Sequence, residues 1–362
     1  MKILTRATLA LIAFPLTLLA QDSSSTGNTA APDTTVSEKI TVLPIPTFGY
    51  SPETSTYVGA VVLFTLNLYG DTLTRTSNAS VEFSYTWRNQ IILESDWDYF
   101  FEKEEWGTKG LLHYSKYPDY YFGIGANSPE ENKTLFKSNR FVFESSLLQQ
   151  VRPKVFAGVN GRFINYSNVG AEDGSTAFPE LVDASVFGLG ISLVQDSRNS
   201  LLTPTSGTFL NINPIYNWSH ENYWKVLLDA RAYETYFKSV TLAGRFFNEV
   251  NSGALPFFDR AFLGGDKFVR GYFFGRYRDN NLSTLQSEVR FPVWWRLGGA
   301  VFGGVSNVYS GFKNFQLADT KLNYGLGLRI LVDKEEGTNM RFDYAIGQNG
   351  NSGFYVSFGE SF

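Results

Sequence analysis

The sequence predicts an all-β protein: a closed, antiparallel β-barrel of about sixteen strands that crosses a membrane. Three observations carry this expectation. Apolar and polar residues alternate with period two through almost the whole chain after residue 40. One alternating face is aromatic and aliphatic, while the other is charged. The connections are long at one end of the strands and short at the other.

The chain of 362 residues has a formal charge of −4 and no cysteine. Its first twenty residues read as a secretory signal: Lys2 and Arg6 give a basic start, Ala7 to Leu19 is nearly unbroken apolar sequence, and Ala20 offers a small residue for cleavage. The apolar run is shorter than the ~20 residues a spanning helix needs. Residues 21–39 are small and polar, and are expected to form a disordered periplasmic tail, leaving 40–362 as the barrel. The charge of an exported, acidic chain gives no footprint for nucleic acid. With no cysteine there is no disulfide framework to infer. Aromatic residues make up 16% of the chain, yet no second long apolar run exists, as befits strands of which only alternate residues meet lipid.

The alternation is plain in three stretches. Val81, Phe83, Tyr85 and Trp87 alternate with Ser80, Glu82, Ser84, Thr86 and Arg88. Phe187, Leu189, Ile191 and Leu193 alternate with Gly188, Gly190 and Ser192, and Tyr324, Leu326, Leu328 and Ile330 with Asn323, Gly325, Gly327 and Arg329. Strands are expected near 42–50, 55–68, 74–88, 90–101, 105–117, 136–151, 153–166, 185–196, 206–218, 223–237, 239–250, 283–297, 299–310, 321–332, 338–348 and 353–362. If the first strand runs outward, the long connections 118–135, 167–184, 251–282 and 311–320 lie outside the cell. Trp87, Trp218 and Trp224 then fall near the outer rim, and Trp106, Trp294 and Trp295 near the inner one.

The segment Leu263-Gly264-Gly265-Asp266-Lys267-Phe268-Val269-Arg270-Gly271-Tyr272 lies between the eleventh and twelfth of these strands. It resembles the VRGY/VRGF loop of the BamA/TamA surface-antigen superfamily. Asp196-Ser197-Arg198-Asn199 with Pro204 to Gly207, Ser287 to Pro292, and the closing Gly325 to Arg329, Arg341 to Asp343 and Phe358 to Phe362 are similar to further motifs of that superfamily, in the same order. The resemblance is strong over 185–362 and architectural before that. It implies an outer-membrane barrel that assists insertion or translocation of proteins, or of lipid, with outer-membrane lipid, client proteins or a periplasmic partner as its contacts. Two departures stand out. Gly304 replaces an acid that the family uses to hold the loop arginine, and periplasmic POTRA domains have no room in this chain. A passive or plugged channel, or a structural anchor, are the alternatives.

In this reading loop 251–282 is extracellular and folds inward, because its aromatic content suits the lumen better than water. Arg270, beside Gly271 and Tyr272, then needs an acid. Glu288 is the first candidate and Asp343 the second, both on the inward parity. Pro44 and Pro46 lack N–H groups, which would loosen a lateral seam between the first strand and the last, with Phe358 and Phe362 on the other side. Glu94, Asp96 and Asp98 share one strand face. They could hold calcium, but pairing by Arg88, Lys109 or Arg162 is the simpler reading, so no metal and no cofactor is expected. The histidines, His113 and His220, support no enzyme, since Ser219 and its neighbour His220 point apart. The pairs Gly188/Gly190 and Gly325/Gly327 are expected to clear space where the folded-in loop packs.

Overall fold

Alternation decides which face each strand presents, and the computed structural model places the two faces as that rule requires. It describes residues 39–362 except 52–54, 70–73, 88–89, 117, 173, 175–177, 267 and 334–336. The expected signal and nearly all of the expected tail lie outside the described residues, Lys39 being the first residue of the first strand.

The chain opens with β1 (Lys39–Ser51), β2 (Ser55–Asn67), β3 (Ser77–Thr86), β4 (Ile91–Phe100) and β5 (Trp106–Lys116). The short β6 (Asp119–Tyr121) precedes the two longest strands, β7 (Thr134–Arg152) and β8 (Val155–Ala171). Next come β9 (Ala184–Asp196), β10 (Gly207–Trp218), β11 (Tyr223–Tyr236) and β12 (Val240–Ser252). β13 (Ala261–Leu263) and β14 (Tyr277–Asp279) pair with each other inside the long connection to β15 (Asn281–Trp294). β16 (Leu297–Tyr309), β17 (Lys321–Asp333), β18 (Thr338–Gly347) and β19 (Ser352–Phe358) close the chain.

Apart from β13 and β14, these strands form one antiparallel meander in which neighbours in sequence are neighbours in the sheet. β5 skips β6 to pair with β7, and β12 skips the β13–β14 hairpin to pair with β15. Among the described residues no ladder joins β1 to β19.

One face carries the exposed apolar side chains: Val81 and Phe83 on β3, Leu189 and Ile191 on β9, Leu326 and Leu328 on β17. Trp87, Trp218, Trp224, Trp106, Trp294 and Trp295 are all exposed at the strand ends. The other face holds the buried charges Arg162, Lys225, Asp229, Arg245, Glu288, Arg290, Arg329, Arg341 and Asp343. Arg231 belongs to this face too, its Nε 3.0 Å from Asp229. Water-exposed apolar area on this scale is unfavourable, and lipid is the solvent that suits it.

The last strand departs from expectation. It ends at Phe358, not at residue 362, because Gly359 takes a φ of 72° and turns the chain off the edge. Glu360 is drawn to Arg329, 2.9 Å away, and Phe362 is buried with Tyr233 and Ala243. Phe362 is therefore not a seam residue facing lipid: an acid two positions earlier and its own apolar ring both find better partners on the charged face.

Candidate functional site: an ion network on the charged face

The connection between β12 and β15 packs onto the charged face and delivers Arg270 to it, with a relative exposure of 1%. Its Nη2 donates to Glu288 Oε2 at 2.5 Å, and its Nη1 donates to Asp343 Oδ2. The guanidinium thus straddles two carboxylates, from β15 and β18, instead of clasping Glu288 alone. Its carbon sits 3.4 Å from the ring centroid of Phe302 on β16, so the planar cation also rests on an aromatic face.

Sequence reasoning missed how far the network extends. Arg290 donates to Glu288 at 2.7 Å. Arg329 donates to Asp343 at 2.5 Å, to Glu288 at 3.3 Å and to Glu360 at 2.9 Å. Arg341 reaches Asp343 at 2.7 Å and Asp266 at 2.6 Å. The guanidinium groups of Arg270, Arg290, Arg329 and Arg341 are therefore matched one for one by Glu288, Asp343, Glu360 and Asp266. A buried charge survives only when paired and hydrogen-bonded, and this balance meets that condition. Inward parity alone could have nominated Arg290, Arg329 and Arg341, since each sits two residues from Glu288 or Asp343 or directly across a ladder from one that does.

Gly271 and Tyr272 pin the same turn. Gly271 has a φ of 101°, and a Cβ there would lie 2.9 Å from the Ile346 carbonyl carbon, so only glycine fits against β18. Its N–H donates to Tyr355 Oη at 2.9 Å. Tyr272 donates to the Leu322 carbonyl at 2.6 Å and accepts from the Gln348 amide at 2.9 Å. Burial pushes its phenol up to about 12.

A second anchor lies eleven residues earlier and carries no sequence motif. Asp259 accepts from Arg162 Nη1 at 3.1 Å and from Tyr223 Oη, and lies 3.1 Å from Lys225 Nζ. Burial opposes its ionisation, but Lys225 and then Arg162 hold it at about 2. The rings before it, Phe257 and Phe258, join Tyr121, Phe136, Ile164 and Tyr223 in an apolar cluster that ties three connections together. Phe258 stacks on Tyr166 at 4.1 Å.

The glycine pairs clear space for wall side chains, not for the loop as expected. A Cβ on Gly188 would meet Arg162 and Asn217, one on Gly325 would meet the Phe302 ring at 2.4 Å, and one on Gly327 would meet Asp343 and Arg329. Gly325 thereby makes room for the ring on which Arg270 lies.

The three stacked acids of β4 each have a partner. Glu94 lies 2.8 Å from His113 Nδ1, Asp96 accepts from Ser80 at 2.5 Å, and Asp98 pairs with Lys109 at 2.8 Å. Arg162 serves Asp259 instead, and Arg88 is outside the described residues. No group of acids and histidines able to hold a metal occurs among the described residues. Ser115 Oγ is 2.9 Å from His113 Nε2, which completes a serine–histidine–glutamate chain with Glu94. Ser115 is fully buried, so its hydroxyl is not presented to solvent as a nucleophile would be. Ser219 donates to the Ser185 carbonyl and does not engage His220. Pro44 and Pro46 are exposed and share a parity on β1, which among the described residues has a ladder with β2 alone.

An antiparallel sheet with a lipid-type face, a charged face and a buried arginine network describes an outer-membrane barrel. The model of the Omp85 superfamily domain matches residues 47–362, and the chain belongs to that superfamily. Among solved structures it is similar to BamA from Haemophilus ducreyi lacking POTRA domains 1–3, with 14% identity and a TM-score of 0.54, over 89% of this chain and 69% of that one. It is also similar to CdiB from Acinetobacter baumannii (13% identity, TM-score 0.54, covering 88% and 59%). CdiB from Escherichia coli gives 12% identity and a TM-score of 0.55, covering 91% and 63%. The chain thus spans about three-fifths of the CdiB chains, and at these identities the likeness is one of fold. No curated protein matches the sequence significantly.

Proposed function

We propose that this chain is a closed outer-membrane barrel whose lumen is plugged by the segment 253–280, and that it assists insertion or translocation of proteins, or of lipid, through a seam between β1 and β19. The observation that carries the proposal is the contrast at that seam. Every other neighbouring pair of long strands shares a ladder, whereas none joins β1 to β19 among the described residues. Pro44 and Pro46 reduce the donors that β1 can offer, and the turn at Gly359 removes the last residues of β19 from the edge. A weakly paired edge is the place where a client strand could add by edge pairing. The Arg270 network keeps the plug seated while the seam works.

The test uses the absence of native cysteine. Cysteine pairs placed across β1 and β19 should cross-link, and the oxidised barrel in liposomes should lose its ability to speed folding of an added outer-membrane protein. Reduction should restore it. Equal acceleration by oxidised and reduced protein would sink the seam, and pulldown from membranes that yields no client would favour an anchoring role. A passive channel is the second reading, favoured by the partly exposed Glu94 and Asp98 on the charged face of β4. Conductance that is substantial with residues 251–282 in place would support it.

A further inference from the structure

At the long-loop end of the sheet, away from the Arg270 network, lies a cavity of about 500 Å³. It is walled by the connections that follow β6, β8 and β16 and by the end of β14. Asn127, Glu180, Asp279, Tyr309, Asn314 and Asp319 set its character, and no lysine, arginine or histidine among the described residues lines it. Its lining is therefore acceptors and carboxylates, with Lys321 and Arg276 standing behind Asn127 and Ser128 and not in the wall itself.

Asp279 distinguishes this cavity from an ordinary surface hollow. It is 8% exposed, and its only hydrogen bond among the described residues is from the amide of its neighbour Asn280, at 2.8 Å. Every other buried carboxylate among the described residues has an ion pair: Glu104 with Arg75, Asp119 with Arg140, Asp196 with Arg198, Asp229 with Arg245, Asp259 with Arg162, and Glu288 and Asp343 with Arg270. Asp279 has none. Glu180 and Asp319, at the same cavity, are each engaged by a neutral donor, Tyr121 at 2.9 Å and Asn127 at 2.7 Å. Burial pushes the Asp279 carboxyl above its ordinary value, outweighing the Asn280 amide and the more distant charge of Arg260, which both favour its ionised form.

We propose that this cavity binds an organic cation, a guanidinium or ammonium group, with Asp279 at its floor as the counter-ion. The size is that of a small-ligand pocket, far larger than a metal ion requires. No set of acids close enough to hold a metal occurs among the described residues. Phe178 and Tyr309 add aromatic faces, which attract a cation in addition to the carboxylate. The cation could come from a free amine or from an arginine side chain of a partner, and the chemistry recognised is the same.

The experiment is calorimetric titration of the folded, full-length barrel in detergent with agmatine, with the tripeptide Gly-Arg-Gly, with glucose and with calcium chloride. Agmatine or the peptide should bind saturably, and whichever binds more tightly identifies the source. Asp279→Asn should weaken that binding at least tenfold, while Glu94→Gln on β4, outside the cavity lining, should leave it unchanged. Because Asn keeps the shape and removes an unpaired buried charge, Asp279→Asn should also raise the unfolding temperature. Should that variant fail to fold, Asn314→Trp, which fills the cavity from an exposed position, should abolish binding by itself. Failure of both cations to bind, binding indifferent to these substitutions, or preferential binding of glucose or calcium would overturn the proposal.

Discussion

The Arg270 guanidinium lies 3.4 Å from the centroid of the Phe302 ring, held there between Glu288 and Asp343. The ring closes one face of the cation and the carboxylates take its edge, so water is excluded from all three charges. Low local dielectric strengthens such a set while it is complete and penalises it when a member is lost. The connection between β12 and β15 is thus held at its tip by an interaction that is all or nothing.

Replacing Arg270 with alanine should cost about 3–5 kcal/mol, because Glu288 and Asp343 would remain buried with fewer partners. The segment 253–280 should then become sensitive to trypsin at Arg260 and Arg276 in folded barrels. Arg270→Lys should fall between, since one ammonium cannot lie flat on Phe302 and reach both acids. Equal protection of the segment in all three proteins would show that the tip is not held by this arginine.

Asp343 occupies the role that the sequence leaves vacant at Gly304, and the two positions are not exchangeable. A Cβ on Gly304 would sit 2.9 Å from Asn323 Oδ1 and 3.0 Å from both Gln286 Cγ and the Leu285 carbonyl. Gly304→Asp should therefore destabilise by roughly 1–3 kcal/mol as an overpacking change. It should not rescue Asp343→Asn. A double variant as stable as the parent in urea unfolding would show that the wall can open to admit the acid.

The strand ladder was legible because period-two alternation and a strict division of charge are local properties, visible at each residue. Arg270, Glu288 and Asp343 were legible for a related reason: motif and parity both marked them. Asp259 was not, since its partners Arg162, Tyr223 and Lys225 come from β8 and β11, and nothing local to a Phe-Phe-Asp run announces them. The end of β19 was misread because the closing Phe358 to Phe362 resembles the last strand of the superfamily, although a positive φ at Gly359 redirects the chain. Glycine permits that turn without requiring it, and the pull comes from Arg290 and Arg329 far away in sequence.

Asp259 should make the first part of the same connection sensitive to acid. Its carboxyl is held at about 2, against an ordinary 3.8. A depressed carboxylate contributes stability that is fully present above the ordinary value and is lost as pH falls through the depressed one. The contribution is on the order of 2 kcal/mol. Protease protection around residues 255–262 should accordingly hold at pH 5, weaken below 4 and be largely gone near 2. Asp259→Asn should show weaker protection at pH 5 and little further change on acidification. A variant that follows the parent's profile would place the acid-sensitive group elsewhere.

The last prediction concerns the four residues after β19. Gly359 to Phe362 lie beyond the register with β18, which ends at Phe358 opposite Met340, and add to it one backbone bond, from the Gly359 N–H to the Asn339 carbonyl at 2.8 Å. They do give Arg329 and Arg290 partners: Glu360 lies 2.9 Å from Arg329 and 3.5 Å from Arg290, and the Phe362 carbonyl accepts from Arg290 at 2.8 Å. Ser361 also donates to the Asp266 carbonyl at 3.0 Å, so the chain end touches the same connection that carries Arg270. Removing residues 359–362 should leave the sheet intact while opening one end of the charged face and loosening the Arg270 tip. Each lost hydrogen bond to a guanidinium should cost roughly 1.5–3 kcal/mol, softened where water enters to replace it. Conductance in planar bilayers should rise above that of the parent, and trypsin should gain access to the segment 253–280. Glu360→Gln should reproduce a smaller part of both effects, because it keeps the shape and loses the charge. If the truncated chain folds, conducts like the parent and keeps its tip protected, the chain end is a passive tail and the network is sealed by Arg270, Glu288 and Asp343 alone.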